Sequence, residues 1–171
     1  MLTRKHTKDT KNIKAEMTMN RKNTLIVLAG ISGSGKSTFA KYLLDSNPKI
    51  AIACPDLVRE KLYGDASIQG DGKKVFQMAF DIVELSGKIK ADCVFDATNT
   101  TKKARKQVIE HGRKYFDFII CYYFYPSLVK SINNQTKRER QVPREVLTRQ
   151  INQWQTPTLD EGFDYVCEIG Y

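Results

Sequence analysis

The sequence has little of what disulfide frameworks, metal sites and membrane spans are made from. Its four cysteines are widely spaced and contain no C-x-x-C pair. No apolar run approaches the roughly 18 residues that a membrane-spanning helix needs, so we expect no membrane partner and a cytoplasmic location. Because each cysteine lies in or beside an apolar run, we expect buried, reduced thiols at Cys54, Cys93, Cys121 and Cys167.

Histidine is also scarce, and this narrows the choice of a general base. His6 belongs to a basic leader and His111 to a surface-like helical segment, so neither is well placed for proton transfer. We therefore look to the carboxylates for acid–base chemistry.

Acidic residues are outnumbered, which gives the chain a net charge of +9, but the excess is unevenly placed. Residues 1–22 hold seven basic and two acidic side chains, which leaves +4 for the other 149 residues. We expect residues 1–22 to be a basic flexible tail without a functional role, or an over-extended start with Met17 or Met19 as the true first residue. Residues 23–171 are expected to form a single domain, whose mild positive charge suits an anionic ligand.

Residues 30–37 read G-I-S-G-S-G-K-S and match the phosphate-loop pattern G-x-x-x-x-G-K-[ST]. The apolar, β-branched run before them predicts a buried strand over residues 24–29, and residues 38–44 predict a helix. In that context backbone N–H groups cradle phosphates, Lys36 reaches the β- and γ-phosphates, and the Ser37 hydroxyl binds Mg²⁺. The residues expected to bind ATP are Gly30, Ser32, Gly33, Ser34, Gly35, Lys36, Ser37 and Thr38.

Strand-like and helical patterns alternate along the rest of the domain. This alternation predicts an α/β fold of three layers, αβα, with a five-stranded parallel sheet and right-handed crossovers. Ligands of such sheets bind at the carboxyl ends of the strands, so we expect the phosphate loop, Asp56 and residues 96–99 to converge. Helical segments separate the four further predicted strands, at residues 50–54, 93–95, 118–124 and 165–169.

Asp56 is the best candidate for a catalytic base. It follows the second predicted strand and lies one helical turn before Arg59, whose charge suits a phosphate oxygen. Opposite a phosphate loop, a carboxylate in this position can orient or deprotonate an acceptor hydroxyl. The alternative is that Asp56 only caps a helix that begins at Leu57.

A second polar group follows the third predicted strand. Asp96 is expected to hold Mg²⁺ or its water ligands, or to pair with Arg59 and orient it. Asn99 and Arg105 are expected to face the acceptor or the nucleotide. The alternative role of Asn99 is to cap the helix that follows it.

A small basic lid is predicted between the fourth strand and the last helix. Residues 137–141 form a dense polar run in which Arg138 or Arg140 can reach a transferring phosphoryl group. The planar guanidinium distributes its donors over developing charge better than an ammonium does. The alternative is a solvated charged loop that takes no part in a reaction.

Taken in order, these residues resemble the 5′-hydroxyl polynucleotide kinase family of phosphate-loop kinases. The resemblance implies a kinase that transfers the γ-phosphate of ATP to the 5′-hydroxyl of RNA or DNA. The stretches that carry it are residues 30–37, D-L-V-R at 56–59, D-A-T-N at 96–99 with Arg105, R-E-R-Q-V-P at 138–143 and E-G-F-D at 161–164.

By position, the resemblance implies that Lys36 and Ser37 handle the phosphates and Mg²⁺, and that Asp56 is the general base. It assigns Arg59 to the phosphate of the acceptor strand, with Asp96 in support, and a lid arginine to the transferred phosphoryl group. The residue directly before Asp56 is a proline, which resembles a broader set of related predicted kinases, whereas the phage member of the polynucleotide kinase family has a charged residue there.

Two alternatives use the same phosphate loop. One is a kinase of a small alcohol or a tRNA-linked acceptor, which requires a closed polar pocket; the other is a non-catalytic ATP-binding module. A nucleic-acid acceptor favours a basic groove with exposed aromatic side chains. Tyr63 and Phe76 lie near enough to the acceptor side in sequence, but we expect core positions for both.

Overall fold

A computed structural model describes residues 22–136 and 141–170, so residues 1–21 of the predicted tail lie outside the described ranges. None of the helices in these ranges is long and apolar enough to cross a membrane. A short 3₁₀ turn, Leu159–Glu161, precedes the last strand. In chain order the elements are β1 (Thr24–Ala29), α1 (Lys36–Ser46), β2 (Ala51–Ala53), α2 (Pro55–Tyr63), α3 (Gly72–Lys88), β3 (Cys93–Asp96), α4 (Lys102–Gly112), β4 (Phe118–Tyr123), α5 (Leu128–Gln135), α6 (Arg144–Asn152) and β5 (Tyr165–Glu168).

The five strands form one parallel sheet in the order β2-β3-β1-β4-β5. β1 lies at the centre, with Leu25 opposite both Cys93 of β3 and Ile119 of β4. Every connection between successive strands runs through at least one helix, as parallel pairing requires. The predicted three-layer α/β fold with a five-stranded parallel sheet is confirmed.

The core occupies both faces of the sheet because β1 is buried on both sides. Leu25 and Val27 pack into a cluster with residues of α3 and α4, whereas Ile26 and Leu28 pack into a second cluster with Ala40 of α1. Successive side chains of a strand point to opposite faces, so a strand without polar residues requires helices on both.

The start of α4 shows how a side chain fixes a helix boundary beside the site. Oγ1 of Thr101 accepts a hydrogen bond from the N–H of Ala104 at 3.2 Å, and the helix begins at Lys102. Such a cap satisfies an N–H group that the first turn leaves unpaired. The cap is therefore Thr101, and the alternative role of Asn99 as the cap is wrong.

Candidate functional site

The phosphate loop, residues 30–37, connects the end of β1 to the start of α1. Gly33 and Gly35 adopt φ angles of 78° and 105°, in the left-handed region that favours glycine. Gly33 also lies against α5, where a Cβ atom would come within 2.7 Å of the Ser131 carbonyl oxygen. Gly35 is the N-cap of α1 and offers no side-chain cap, so the N–H groups of the first turn are available to a ligand. A helix N-terminus of this kind favours an anion.

Lys36 is buried against the loop rather than extended into solvent. Its Nζ donates to the carbonyl oxygen of Ile31 at 2.8 Å and to Oγ of Ser34 at 3.4 Å. An ammonium held there adds positive charge to the N–H groups of the helix terminus, and both attract the same anion.

One cavity of about 720 Å³ joins the phosphate loop to the carboxyl ends of β2 and β3. β3 lies next to β1 and β2 lies next to β3, so their ends share one edge of the sheet. The structure therefore brings most of the expected site residues together. The charged and hydroxyl side chains among them that line the cavity are Ser32, Lys36, Ser37, Asp56, Arg59 and Asp96.

Asp56 and Arg59 form an ion pair at the mouth of this cavity. Nη1 of Arg59 donates to Oδ1 of Asp56 at 2.7 Å, one turn apart on α2. The Asp56 side chain is 64% exposed and that of Arg59 only 12%. The helix begins at Pro55 with Cys54 as its N-cap, so the alternative that Asp56 caps a helix from Leu57 is wrong. A carboxylate one residue into the helix is instead placed over the cavity.

Asp96 ends β3 and is buried at the base of the same cavity. Its negative charge reaches Cys54, where burial and then the Asp96 carboxylate raise the pKa of the thiol to about 11. Cys54 is therefore a neutral thiol at physiological pH, as expected for a buried cysteine, although it lines the cavity.

Asn99 does not face the cavity but holds the segment after β3 against β1. Its backbone has a φ angle of 44°, and its buried Nδ2 donates to the carbonyl oxygen of Leu28 at 2.7 Å. The neighbouring Thr98 carbonyl oxygen accepts the N–H of Gly30 at 2.9 Å. The expected contact of Asn99 with the acceptor or nucleotide is corrected: its amide is engaged with β1 and holds the segment after β3 in place.

Arg105 is the clearest correction to the expected acceptor site. Its side chain is 0% exposed and makes a two-point ion pair with Glu161, Nε to Oε2 and Nη2 to Oε1, each at 2.7 Å. Its Nη1 donates to the carbonyl oxygen of Asn99 at 2.9 Å. Every nitrogen of this guanidinium has a protein partner, so Arg105 contacts neither acceptor nor nucleotide. It joins α4, the 3₁₀ turn and the segment after β3.

Three carboxamides hold the phosphate loop from the side of α5 and α6, and the sequence interpretation missed them. Oε1 of Gln150 accepts the N–H of Ser32 at 2.8 Å, and its Nε2 donates to Oγ of Ser32 at 3.1 Å. Nδ2 of Asn134 donates to the Gly33 carbonyl oxygen at 2.9 Å, and the Gln135 side chain packs beside Gly33. These side chains are neutral amides, so they do not repel an anion in the loop. Carboxylates in the same positions would repel it.

Local sequence patterns do not indicate these contacts, because their partners are 118 and 101 residues apart in the chain. One signal existed. Gln150 follows the buried Leu147 by three residues, so it lies on the inner face of α6, where a polar side chain is unusual and needs a partner.

Gln135 also joins the two segments that flank the predicted lid. Its Oε1 accepts the N–H of Val142, and its Nε2 donates to the Ser131 carbonyl oxygen at 3.2 Å. Arg138 and Arg140 lie outside the described residues, so the lid and their assigned roles stay predictions.

The oxygen donors of the cavity fit a Mg²⁺ ion that is held jointly with phosphates. Ser37 offers a hydroxyl and Asp96 a carboxylate, and both line the cavity. Within residues 22–136 and 141–170, no group of three or more His, Cys, Asp or Glu side chains could hold a metal alone. Mg²⁺ in phosphate-transfer sites keeps several waters and needs only one or two carboxylates beside the phosphate oxygens, so this donor set is sufficient.

Comparison with known proteins gives a family and a fold. The family model described as an AAA domain matches residues 25–157, which is more than half of the chain. A chain of the Pnkp1/Rnl/Hen1 RNA repair complex has a TM-score of 0.70 and 19% identity, over 78% of this chain and 44% of that one. A fungal RNA kinase has a TM-score of 0.63 and 18% identity, over 87% and 38% of the two chains. Our chain thus matches less than half the length of either protein.

A third structure is covered almost completely. Kti12 of Chaetomium thermophilum, in complex with ADP-AlF3, has a TM-score of 0.63 and 15% identity, over 86% of this chain and 89% of that one. Sequence identities this low support a conclusion about the fold only. At the level of the fold, the expected resemblance to polynucleotide-kinase-like proteins is confirmed. The chain belongs to the AAA-domain family and has the fold of the phosphate-loop kinases.

Proposed function

We propose that the protein is an ATP-dependent phosphotransferase that transfers the γ-phosphate to the 5′-hydroxyl of a nucleic acid. The observation that carries the proposal is the single cavity shared by the phosphate loop, Asp56 and Arg59. The loop suits a triphosphate, the carboxylate suits a hydroxyl, and the guanidinium suits a second phosphate. The fold shared with a chain of an RNA repair complex and with an RNA kinase supports a nucleic-acid acceptor.

ATP is proposed to bind with its β- and γ-phosphates in the loop. The backbone N–H groups of residues 33 and 35–38 and the Lys36 ammonium contact the phosphate oxygens. Ser37 and Asp96 are the residues that would hold Mg²⁺, which supplies charge neutralisation at the β- and γ-phosphate oxygens when it is bound. The three carboxamides keep the loop in shape without adding negative charge.

The acceptor hydroxyl is proposed to bind at Asp56. Because Oδ1 is engaged with Arg59, the hydroxyl donates to Oδ2. The hydroxyl oxygen forms a bond to the γ-phosphorus, the bond from that phosphorus to the β,γ-bridging oxygen breaks, and ADP leaves. Asp56 takes the hydroxyl proton as the reaction proceeds. Arg59 binds the next phosphate of the acceptor, and Arg138 or Arg140 stabilises the transferring group.

The proposal is tested by supplying γ-labelled ATP and Mg²⁺ with RNA and DNA oligonucleotides that carry a 5′-hydroxyl or, as a control, a 5′-phosphate. We expect label on the 5′-hydroxyl oligonucleotides only. Asp56→Asn should lower the transfer rate roughly 10²- to 10⁴-fold, the usual contribution of a general base, and leave ATP binding intact. Asp81→Asn is the matched control, since Asp81 is exposed on α3 and does not line the cavity.

Other outcomes identify the alternatives. Label on small alcohols or on a tRNA-linked acceptor, with none on oligonucleotide ends, would replace the nucleic-acid acceptor by that class. Tight ATP binding without transfer to any acceptor, unchanged by Asp56→Asn, would indicate a nucleotide-binding module. Transfer to oligonucleotides that survives Asp56→Asn would keep the reaction and remove Asp56 from its role as base.

A further inference from the structure

Phe76 is an exposed aromatic side chain on the acceptor side of the cavity. It lies near the start of α3, is 41% exposed and lines the cavity. The expectation that Phe76 belongs to the core is wrong, because Val75 and Ala79 occupy the buried face of α3 and Phe76 is rotated away from it. Tyr63, in contrast, packs against the core, and its hydroxyl accepts the Asp71 N–H at 3.0 Å.

Leu57 presents a second apolar side chain to the same space. It directly follows Asp56 on α2, is more than half exposed, and lines the cavity with Phe76. Single exposed apolar residues are common and need no explanation. Here two neighbouring helices each contribute one to a cavity that also holds the Asp56–Arg59 pair, and such a combination marks a surface that a ligand covers.

Arg59 supplies a cation beside these apolar side chains. Its side chain is largely buried, and Nη1 is engaged with Asp56. Its Nε is buried without a hydrogen-bond partner within the described residues. A buried N–H without an acceptor is unfavourable, so a shift of the guanidinium that brings Nε to a ligand oxygen would make a hydrogen bond that the protein alone leaves unmade.

We propose that Leu57 and Phe76 form an apolar wall that binds the face of the acceptor's terminal nucleobase, while Arg59 binds its adjacent phosphate. The inference rests on the proposed function and specifies how its acceptor is recognised. The terminal nucleotide has a flat apolar base beside an anionic phosphate, which matches the apolar wall beside the Arg59 cation. Stacking on an aromatic ring tolerates any base. A small polyhydroxy acceptor would place hydroxyl groups against Leu57 and Phe76, where they find no hydrogen-bond partner.

The test compares two oligonucleotides that share a 5′-hydroxyl and differ only in whether the terminal nucleotide carries a base or is abasic. We expect the wild-type protein to have a roughly tenfold lower KM for the base-bearing acceptor, the size expected for one stacked base. Phe76→Ala should remove this preference without changing the KM for ATP, and Phe76→Trp should restore it. Leu85→Ala is the matched control, because Leu85 is exposed on the same helix and does not line the cavity.

Several results would overturn the wall without touching the proposed function. Equal KM values for base-bearing and abasic acceptors in the wild-type protein would do so, as would an unchanged preference in Phe76→Ala. If no oligonucleotide is phosphorylated, the proposed function fails. The apolar wall is then tested separately, by measuring the binding of the two oligonucleotides. Fluorescence anisotropy with the same two oligonucleotides should then still show weaker binding of the abasic one, and the loss of that difference in Phe76→Ala; equal binding overturns the wall. Circular dichroism and the Tm verify that the variants are folded.

Discussion

Two guanidinium–carboxylate pairs in this protein have the same shortest distance and opposite surroundings. Arg59 and Asp56 meet at 2.7 Å through one nitrogen and one oxygen, at the mouth of a cavity. Arg105 and Glu161 meet at 2.7 Å through two nitrogens and two oxygens, and both side chains are buried. The Arg59–Asp56 pair leaves hydrogen-bond donors and one carboxylate oxygen available to a ligand. The Arg105–Glu161 pair leaves no donor available to a ligand.

The difference shows that chemical type alone does not assign a role to an arginine. The carboxylate of Glu161 also accepts the N–H of Thr158 at 3.1 Å, so the buried pair sits inside a satisfied hydrogen-bond network. Arg105 affects the site only through position, since it fixes the carbonyl of Asn99, whose amide in turn holds the end of β1. We therefore expect mutations of the two pairs to separate stability from activity.

The largest effect is expected from Arg105→Ala. Removal of one partner leaves the Glu161 carboxylate buried and unpaired, which costs about 3–5 kcal/mol of the free energy of unfolding. Urea unfolding followed by circular dichroism measures it. The matched control is Lys106→Ala, the next residue, whose pair with Glu110 is exposed at 3.7 Å and should contribute less than about 1 kcal/mol.

A double variant distinguishes a buried ion pair from a simple packing defect. Replacing Arg105 and Glu161 together by leucine removes both charges, so the loss should be smaller than in Arg105→Ala. If Arg105→Ala costs less than 1 kcal/mol, or if the double variant is the more unstable of the two, the pair is not the structural anchor that its geometry indicates.

The next effect concerns the pair at the mouth of the cavity, through Arg59→Ala. The free energy of unfolding should fall by no more than about 1 kcal/mol, because the Asp56 carboxylate that loses its partner is 64% exposed and stays solvated, although Arg59 itself is largely buried. The kcat/KM for a 5′-hydroxyl oligonucleotide should fall roughly 10- to 100-fold, as expected when a charge-assisted hydrogen bond to phosphate is lost. Unfolding as severe as that of Arg105→Ala would erase the distinction between the two pairs.

Local patterns allowed the fold and the phosphate loop to be predicted. The glycine and lysine spacing of residues 30–37 and the unbroken apolar run of β1 are short-range features, and the topology rule then placed Asp56 and Asp96 at one edge. The sequence places both arginines near the acceptor: Arg59 is expected at a phosphate oxygen, and Arg105 is expected to face the acceptor or the nucleotide. Only the structure reveals that Glu161, 56 residues away, takes Arg105 into the core.

The rotational phase and the starting residue of a helix explain the other differences between the predictions and the structure. Phe76 and Val75 are adjacent in sequence and both apolar, but 100° of helix rotation puts one in the cavity and the other in the core. The start of α2 at Pro55 moved Asp56 from a cap position into the first turn. Sequence patterns locate elements well, but they fix boundaries and facing directions to no better than a residue or two.

A smaller effect is expected at the phosphate loop from Gln150→Glu. The substitution preserves shape but puts a negative charge next to Ser32, beside the expected triphosphate, so the KM for ATP should rise about tenfold while the protein stays folded. Gln153→Glu, exposed just beyond the same helix, is the control for added charge and should have little effect. Equal KM values in the two variants would mean that the Gln150 contact does not persist when nucleotide binds.

The smallest effect is expected in the pH dependence of the free energy of unfolding, to which the buried Cys93 of β3 contributes. Burial raises the pKa of this thiol from 9.0 to about 12. Below pH 9 both the folded and the unfolded protein keep the proton, so its contribution to stability is fully present there. Above pH 9 the unfolded state releases the proton and the folded state keeps it, so the free energy of unfolding falls as pH rises towards 12.

Between pH 8 and pH 10, one such thiol accounts for a fall of about 1 kcal/mol. Cys93→Ala should remove that part of the decline, measured as the difference between unfolding free energies at the two pH values so that the cavity left by the substitution cancels. Cys167→Ala, at a partly exposed cysteine near the edge of the sheet, is the control. If the free energy of unfolding of Cys93→Ala falls with pH as steeply as that of the wild-type protein, the Cys93 thiol ionises without unfolding of the protein. The interior of the sheet then admits a charge more readily than the buried Arg105–Glu161 pair suggests.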